Sequence, residues 1–104
     1  MTNEILIKLI TNSLEEKKAE QIQILNLSSH GVIVDCMIIA TATSSRHAVT
    51  LAEFVNRVLK DNGIKASIEG LRSDGWVLID AGSVVVHIFK QEARDFYSIE
   101  QIWQ

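Results

Sequence analysis

The stretch from Val32 to Ala40, Val-Ile-Val-Asp-Cys-Met-Ile-Ile-Ala, constrains this chain more than any other. Its apolar residues do not alternate with polar ones, and most of them are β-branched. A strand of that kind is expected to be covered on both faces, as at the centre of a layered α/β sheet. The remaining sequence must then supply partner strands and a covering layer on each side.

It supplies both. From Asn3 to about Lys18, the residues Ile5, Leu6, Leu9, Ile10 and Leu14 recur at helical spacing, with Glu15-Glu16-Lys17-Lys18 at the exposed end. Thr2 or Asn3 can cap this helix, and Glu4 suits its positive end. Gln21 to Leu27 begins with the alternation of a half-buried strand, and Ser28-Ser29-His30-Gly31 reads as a turn. After the central strand, Thr41 to Ser45 leads into a second helix with Ser44 or Ser45 as its cap. Ala48, Leu51, Ala52, Val55, Val58 and Leu59 make its apolar stripe, and Asn62-Gly63 ends it.

Lys65 to Glu69 reads as a short strand and Gly70 to Gly75 as a loop. Trp76 to Asp80 and Val84 to Phe89 are two further β segments, joined by a turn at Ala81-Gly82. In the tail, Ser98 followed by Gln101 fits a capping box for a last short helix. With no proline, repeat or low-complexity segment, residues 1–104 read as a single α/β domain. Its expected core is a mixed five-stranded sheet flanked by helices.

Charge and cysteine usage narrow the function. Ten Lys and Arg are spread along the chain and outnumbered by thirteen Asp and Glu, for a net charge of -3. Proteins that grip phosphate backbones concentrate basic residues on one face, so direct nucleic-acid binding is disfavoured. An acidic surface suits a basic protein partner. No apolar run is long enough to span a bilayer, and Met1-Thr2-Asn3-Glu4 lacks the positive start of a signal peptide. The single cysteine, Cys36, cannot form an internal disulfide, and a reducing cytoplasmic setting is expected.

Candidate chemistry is sparse. Cys36 lies in an apolar strand and reads as a small hydrophobe. His30, His47 and His87 fall in a turn, a helix and a strand, without the spacing of a zinc ligand set, so no metal or cofactor is expected. Thr41, Thr43, Ser44 and Ser45 stand at a helix start, where anions bind, but lack the Gly-rich cradle and lysine of a phosphate loop. Helix capping explains them more simply. Asp35 and Asp80 are single carboxylates in hydrophobic strands, without the neighbouring acid that a magnesium site would want. No catalytic residue is assigned.

The second hairpin is more informative. Side chains alternate along a strand, so Trp76, Leu78 and Asp80 share one face while Val77 and Ile79 share the other. A two-residue turn at Ala81-Gly82 places Ser83, Val85 and His87 opposite Asp80, Leu78 and Trp76. Val77, Ile79, Val84, Val86 and Ile88 then form a wholly apolar core face. The other face mixes an aromatic, an aliphatic and polar tips, as partner-binding patches do. Packing of Trp76 beneath a helix or the C-terminal tail explains the same pattern equally well.

Asp35-Cys36-Met37-Ile38-Ile39-Ala40-Thr41-Ala42-Thr43-Ser44-Ser45-Arg46-His47 resembles the strand-to-helix signature of the ribosomal silencing factor (Iojap) family. Glu69-Gly70 with Trp76 to Gly82, then Val84 to Phe89, resembles its second signature. Glu92 to Tyr97 and Ile102-Trp103 resemble its closing segment. Together these cover essentially the whole chain in order.

The resemblance implies a non-enzymatic translation repressor that binds the large ribosomal subunit through its fourteenth protein and sterically blocks joining of the small subunit. It also implies a homodimer when free and a fold similar to nucleotidyltransferase domains. By position, the partner-binding residues are Trp76, Leu78 and Asp80, with Glu69, Gly70 and His87 nearby. Asp35 and Arg46 match signature positions whose role is open. Ala42 stands where the family usually has Gly, and Ser83 where it usually has Asp. Two alternatives are a large-subunit assembly factor and a nucleotidyltransferase-like enzyme, the latter binding Mg-nucleotide near Thr43, Ser44 and Asp35.

Overall fold

A computed structural model describes residues 2–28, 31, 34–72 and 75–102. Its elements run α1 (Asn3–Glu16), β1 (Glu20–Asn26), β2 (Cys36–Ala42), α2 (Ser45–Asp61), β3 (Ser67–Glu69), β4 (Trp76–Asp80), β5 (Val84–Lys90), α3 (Gln91–Tyr97) and α4 (Ile99–Ile102). The five strands form one sheet in the order β1-β2-β5-β4-β3. β2 runs parallel to β5 and every other neighbour is antiparallel, so the sheet is mixed.

β2 is buried along its whole length, as its unbroken apolar sequence requires. It starts later than expected. Val32 and Ile33 lie outside the described residues. Val34 precedes the strand, and the N–H groups of Asp35 and Cys36 both reach the Ser83 carbonyl, at 2.8 and 3.1 Å. At its far end β2 continues through Thr41 and Ala42, which pair with Phe89 and Lys90, where the sequence suggests a connector.

α1 and α2 cover one face. Leu6, Ile10 and Leu14 of α1 and Ala48, Leu51, Ala52, Val55 and Leu59 of α2 pack on Ile38, Ala40, Val77, Ile79, Val84, Val86 and Ile88. Thr2 caps α1 through its side chain at 3.3 Å and Ser44 caps α2 at 3.0 Å, as their positions suggest. Ile5 departs from the expected stripe and is 51% exposed. Ser13 is buried in that helix instead, its hydroxyl donating to the Leu9 carbonyl at 2.7 Å.

The β4–β5 turn differs from expectation in a way that matters. Asp80 pairs with Val85, Leu78 with His87 and Trp76 with Phe89. The Ala81 N–H donates to the Val84 carbonyl at 3.0 Å, so the corner residues are Gly82 and Ser83, not Ala81 and Gly82. Gly82 takes φ +87, the conformation that two-residue hairpin turns need and that glycine adopts at no steric cost. The register slides by two residues. Because side chains alternate with period two, the composition of each face survives while the cross-strand partners change. Ser83 leaves the predicted face: its hydroxyl donates to Asn3 Oδ1 on α1 at 2.6 Å.

The tail also departs from expectation. A helix, α3, follows β5 directly, and Ser98 closes it in a left-handed conformation with φ +46. The Ser98 hydroxyl donates back to the Asp95 carbonyl at 2.7 Å, so the expected capping box does not form, although the expected last short helix does follow it as α4. Trp103, part of the quoted closing segment, lies outside the described residues. α3 is tied to the sheet by Arg94, which is buried. Its Nη1 donates to the Gln21 carbonyl at 2.6 Å and to Thr41 Oγ1 at 2.7 Å, and its Nε to Glu100 Oε1 at 3.1 Å. Replacing Arg94 with Met strands the Thr41, Gln21 and Glu100 oxygens in a partly desolvated place. The loss of stability expected in urea denaturation is about 3 kcal/mol. A loss within 0.5 kcal/mol, the range of ordinary surface changes, would show that the tail is held by apolar packing alone.

Candidate functional site

The second face of the sheet is only partly covered. Leu27, Met37, Ile39 and Phe89 form a small buried cluster there, with Trp76, Ala93 and Ile99 packed against it. The tail therefore covers the β2–β5 end of this face. Trp76, Leu78, Val85 and His87 remain half-buried, while Glu69 and Asp80 are exposed.

Strand register explains which predicted residues meet. Glu69 pairs with Leu78, which pairs in turn with His87, so these three stand in one row across β3, β4 and β5. Trp76 and Asp80 flank that row on β4 and point the same way. Gly70 follows directly at the exposed end of β3. All six predicted residues thus fall on or beside one surface. Val85, opposite Asp80, belongs to it as well.

Trp76 is held from several sides. Its ring lies 5.0 Å from Phe89, 5.7 Å from His87 and 4.7 Å from Tyr97, centroid to centroid. Its indole N–H donates to His87 Nδ1 at 3.0 Å. An indole nitrogen can only donate, so Nδ1 is the bare nitrogen of a neutral imidazole and Nε2 carries the proton. Trp76 packs under Tyr97 of the tail, which is one of the two readings its sequence position allows, and it keeps half-exposed surface. Tyr97 and Phe89 were missed as its neighbours. Phe89 follows only from the correct turn register, and Tyr97 from a helix whose start has no side-chain cap.

Asp80 has a second duty. Its Oδ1 accepts the Gly82 N–H at 2.9 Å and so braces the hairpin corner. Asp35 faces elsewhere, accepting a hydrogen bond from Asn3 Nδ2 at 2.9 Å. Asn3 thereby links Asp35 and Ser83 on the helix-covered side.

The groups that suggested nucleotide chemistry do not converge. Asp35 precedes the seven-residue strand β2 and Thr43 follows it, which separates them by about 25 Å at strand rise. The hydroxyl cluster is occupied locally. His47 Nδ1 accepts the Thr43 N–H at 2.9 Å, and His47 Nε2 meets the Lys17 carbonyl at 2.8 Å, joining the start of α2 to the end of α1. Thr41 is engaged with Arg94. Burial pushes the Cys36 thiol up, with Asp35 adding to the shift, so it is further from the reactive thiolate than a free cysteine. No group of three His, Cys, Asp or Glu that could hold a metal occurs among the described residues, and His30 lies outside them.

Burial holds the His87 pKa down at about 4, from an ordinary value of 6.5. Below pH 6.5 the unfolded chain takes up a proton at this histidine that the folded chain refuses. The stabilisation is therefore complete above pH 6.5 and lost as pH falls towards 4, with a slope of at most about 1.4 kcal/mol per pH unit. In His87→Asn the amide oxygen can still accept from Trp76, but this titration is gone. Urea midpoints of the two proteins from pH 7 to 4 should converge or cross as pH falls. Parallel curves would show that His87 is not the group responsible.

Comparison with known proteins identifies the family of the chain. The sequence model of the family described as "Ribosomal silencing factor during starvation" matches residues 1–104. The ribosomal silencing factor RsfS of Zymomonas mobilis is 39% identical over 101 residues, covering 96% of this chain and 76% of that protein. A more distant relative in Mus musculus, named mitochondrial assembly of ribosomal large subunit protein 1, is 26% identical over 93% of this chain and 44% of its own length. The crystal structure of a protein from Chromobacterium violaceum superposes with a TM-score of 0.96 at 38% identity, covering 99% of this chain and 87% of that one. The chain belongs to the ribosomal silencing factor family.

Proposed function

We propose that this chain is a translation repressor that docks on the large ribosomal subunit through the uncovered part of its sheet and hinders joining of the small subunit. The observation that carries this reading is the row Glu69–Leu78–His87, flanked by Trp76 and Asp80, on a face that the tail leaves open. Family membership supplies the ribosomal setting. The receptor in this reading is the fourteenth protein of the large subunit, and a chain of net charge -3 with Glu69 and Asp80 at the site suits a basic patch on it. Trp76 and Leu78 are the apolar anchors, and the two acids set register at the rim. The role requires affinity and bulk and no catalysis. An interface of about 800 Å² on each partner suffices for specific binding.

In the same reading the protein acts in the cytoplasm, forms a homodimer when free and makes no direct contact with nucleic acid. Assembly of the large subunit is a second reading, favoured by the name of the mouse relative. It uses the same surface and differs in timing. Accumulation of immature large subunits in a strain lacking the protein would favour it over a block in subunit joining.

Leu78→Ala tests the surface more cleanly than Trp76→Ala, because Trp76 also packs on Phe89 and Tyr97. Large subunits mixed with the protein and then with small subunits are sedimented through a sucrose gradient. Wild type should travel with large subunits and reduce joined ribosomes. Leu78→Ala should weaken both effects about tenfold, the loss of a moderate anchor. A wild-type protein that does not cosediment would end this reading. Full binding by Leu78→Ala would move the interface to another face.

A further inference from the structure

The surface around Trp76 continues onto the tail. Phe96 is 80% exposed and Tyr97 47%, and their rings meet edge to face at 5.1 Å. Tyr97 in turn lies on Trp76 at 4.7 Å, so an aromatic ridge runs from β4 onto α3. Beside the ridge is an open hollow of about 330 Å³, lined by Gly75, Lys90, Glu92, Ala93, Phe96 and Tyr97. Its floor is closely built, since a Cβ at Gly75 would come within 3.3 Å of the Ala93 Cβ. Its wall is fixed in place, because Arg94, one residue beyond Ala93, anchors α3 to β1 and β2. Tyr97 serves the fold through Trp76, but Phe96 is left largely in water, and aromatic surface held out on a pinned helix marks an interaction site.

We propose that this hollow is a second contact point of the docking surface, receiving one aliphatic side chain of the basic protein partner. The inference rests on the reading of the Trp76 face given above. Gly75, Ala93 and the two aromatic rings offer an apolar seat. Glu92, exposed at its rim beside Lys90, offers a carboxylate to a basic residue next to the seated side chain. Asp95, on the same helix, accepts from the Gln91 amide at 2.8 Å and lines a different hollow with Gln21, Gln23 and Arg94, which leaves Glu92 as the acid at this one. Charge complementarity thus favours the same kind of partner as Glu69 and Asp80 do, approached from the other side of Trp76.

The test measures binding to purified large ribosomal subunits for wild type, Leu78→Ala, Phe96→Ala and Glu92→Lys, at low and moderate salt, with thermal melting of each protein alone. Phe96→Ala and Glu92→Lys should melt as wild type and bind about tenfold more weakly. Glu92→Lys should also lose part of the salt dependence of binding. Wild-type affinity in both tail variants, with Leu78→Ala impaired, would overturn the tail contact and leave the Trp76 face standing. Absence of wild-type binding would remove the partner and the proposal together. Loss of self-association in Phe96→Ala, with subunit binding intact, would assign the ridge to a second copy of this chain and overturn the proposal.

Discussion

β2 is apolar on both sides and lies inside the sheet, so the fold has to bury two faces with one short chain. α1 and α2 are long enough to close the first face across β2, β5 and β4. What is left for the second face is the tail, a seven-residue helix and a four-residue one. At the rise of an α-helix these span about 10 and 6 Å. They can cover the residues nearest β5 and β2, and they do so over Met37, Ile39 and Phe89. They cannot reach β3 and the far side of β4. The open surface at Leu78, Glu69 and Asp80 is the part of the sheet that the covering layer is too short to hide.

A cover so small has little apolar area with which to hold itself down. Arg94 makes up the difference by a polar route. One guanidinium reaches a backbone carbonyl on β1, a hydroxyl on β2 and a carboxylate on α4, and so fixes three elements relative to α3. Buried charges of this kind are weak stabilisers compared with a well-packed hydrophobic replacement, but removing one partner alone is severe. Glu100 Oε2 is buried without a hydrogen-bond partner among the described residues, so the network is not fully satisfied. Its value lies in geometry: Arg94 gives the tail one position, and the tail position decides how much of Trp76 is visible.

Much of this was legible in the sequence because it depends on local pattern. The 3.6-residue stripe of α2 and the unbroken apolarity of β2 each follow from neighbours along the chain. The grouping of Trp76, Leu78 and His87 on one face was also legible, since an error of two residues in the β4–β5 register leaves them on the same side. A slip of one residue would have reversed it. The rest depends on contacts far apart in sequence. Arg94 meets Gln21 and Thr41 across 73 and 53 residues, and nothing near Arg94 marks it as buried. Ser98 does stand directly before the last short helix, as its composition suggests, but its hydroxyl turns back to close α3 in a left-handed conformation, with Tyr97 and Ile99 packed on the sheet on either side of it. Ser83 left the predicted face for Asn3 because the turn moved by one position.

The same long-range contacts bear on how the surface would bind. Trp76 is large and amphipathic, and a free indole loses rotamer freedom when a partner fixes it. Here that loss has already occurred on folding. Phe89 lies beneath the ring, Tyr97 lies beside it, and His87 accepts its N–H, so one orientation is selected before any partner arrives. The neutral state of His87 is part of that selection, because a protonated Nδ1 could not accept from the indole. Burial of the imidazole, which keeps its pKa at about 4, therefore keeps the tryptophan oriented at neutral pH. A rigid, half-exposed aromatic with an aliphatic neighbour and acids at the rim is the arrangement in which modest buried area converts into specific affinity.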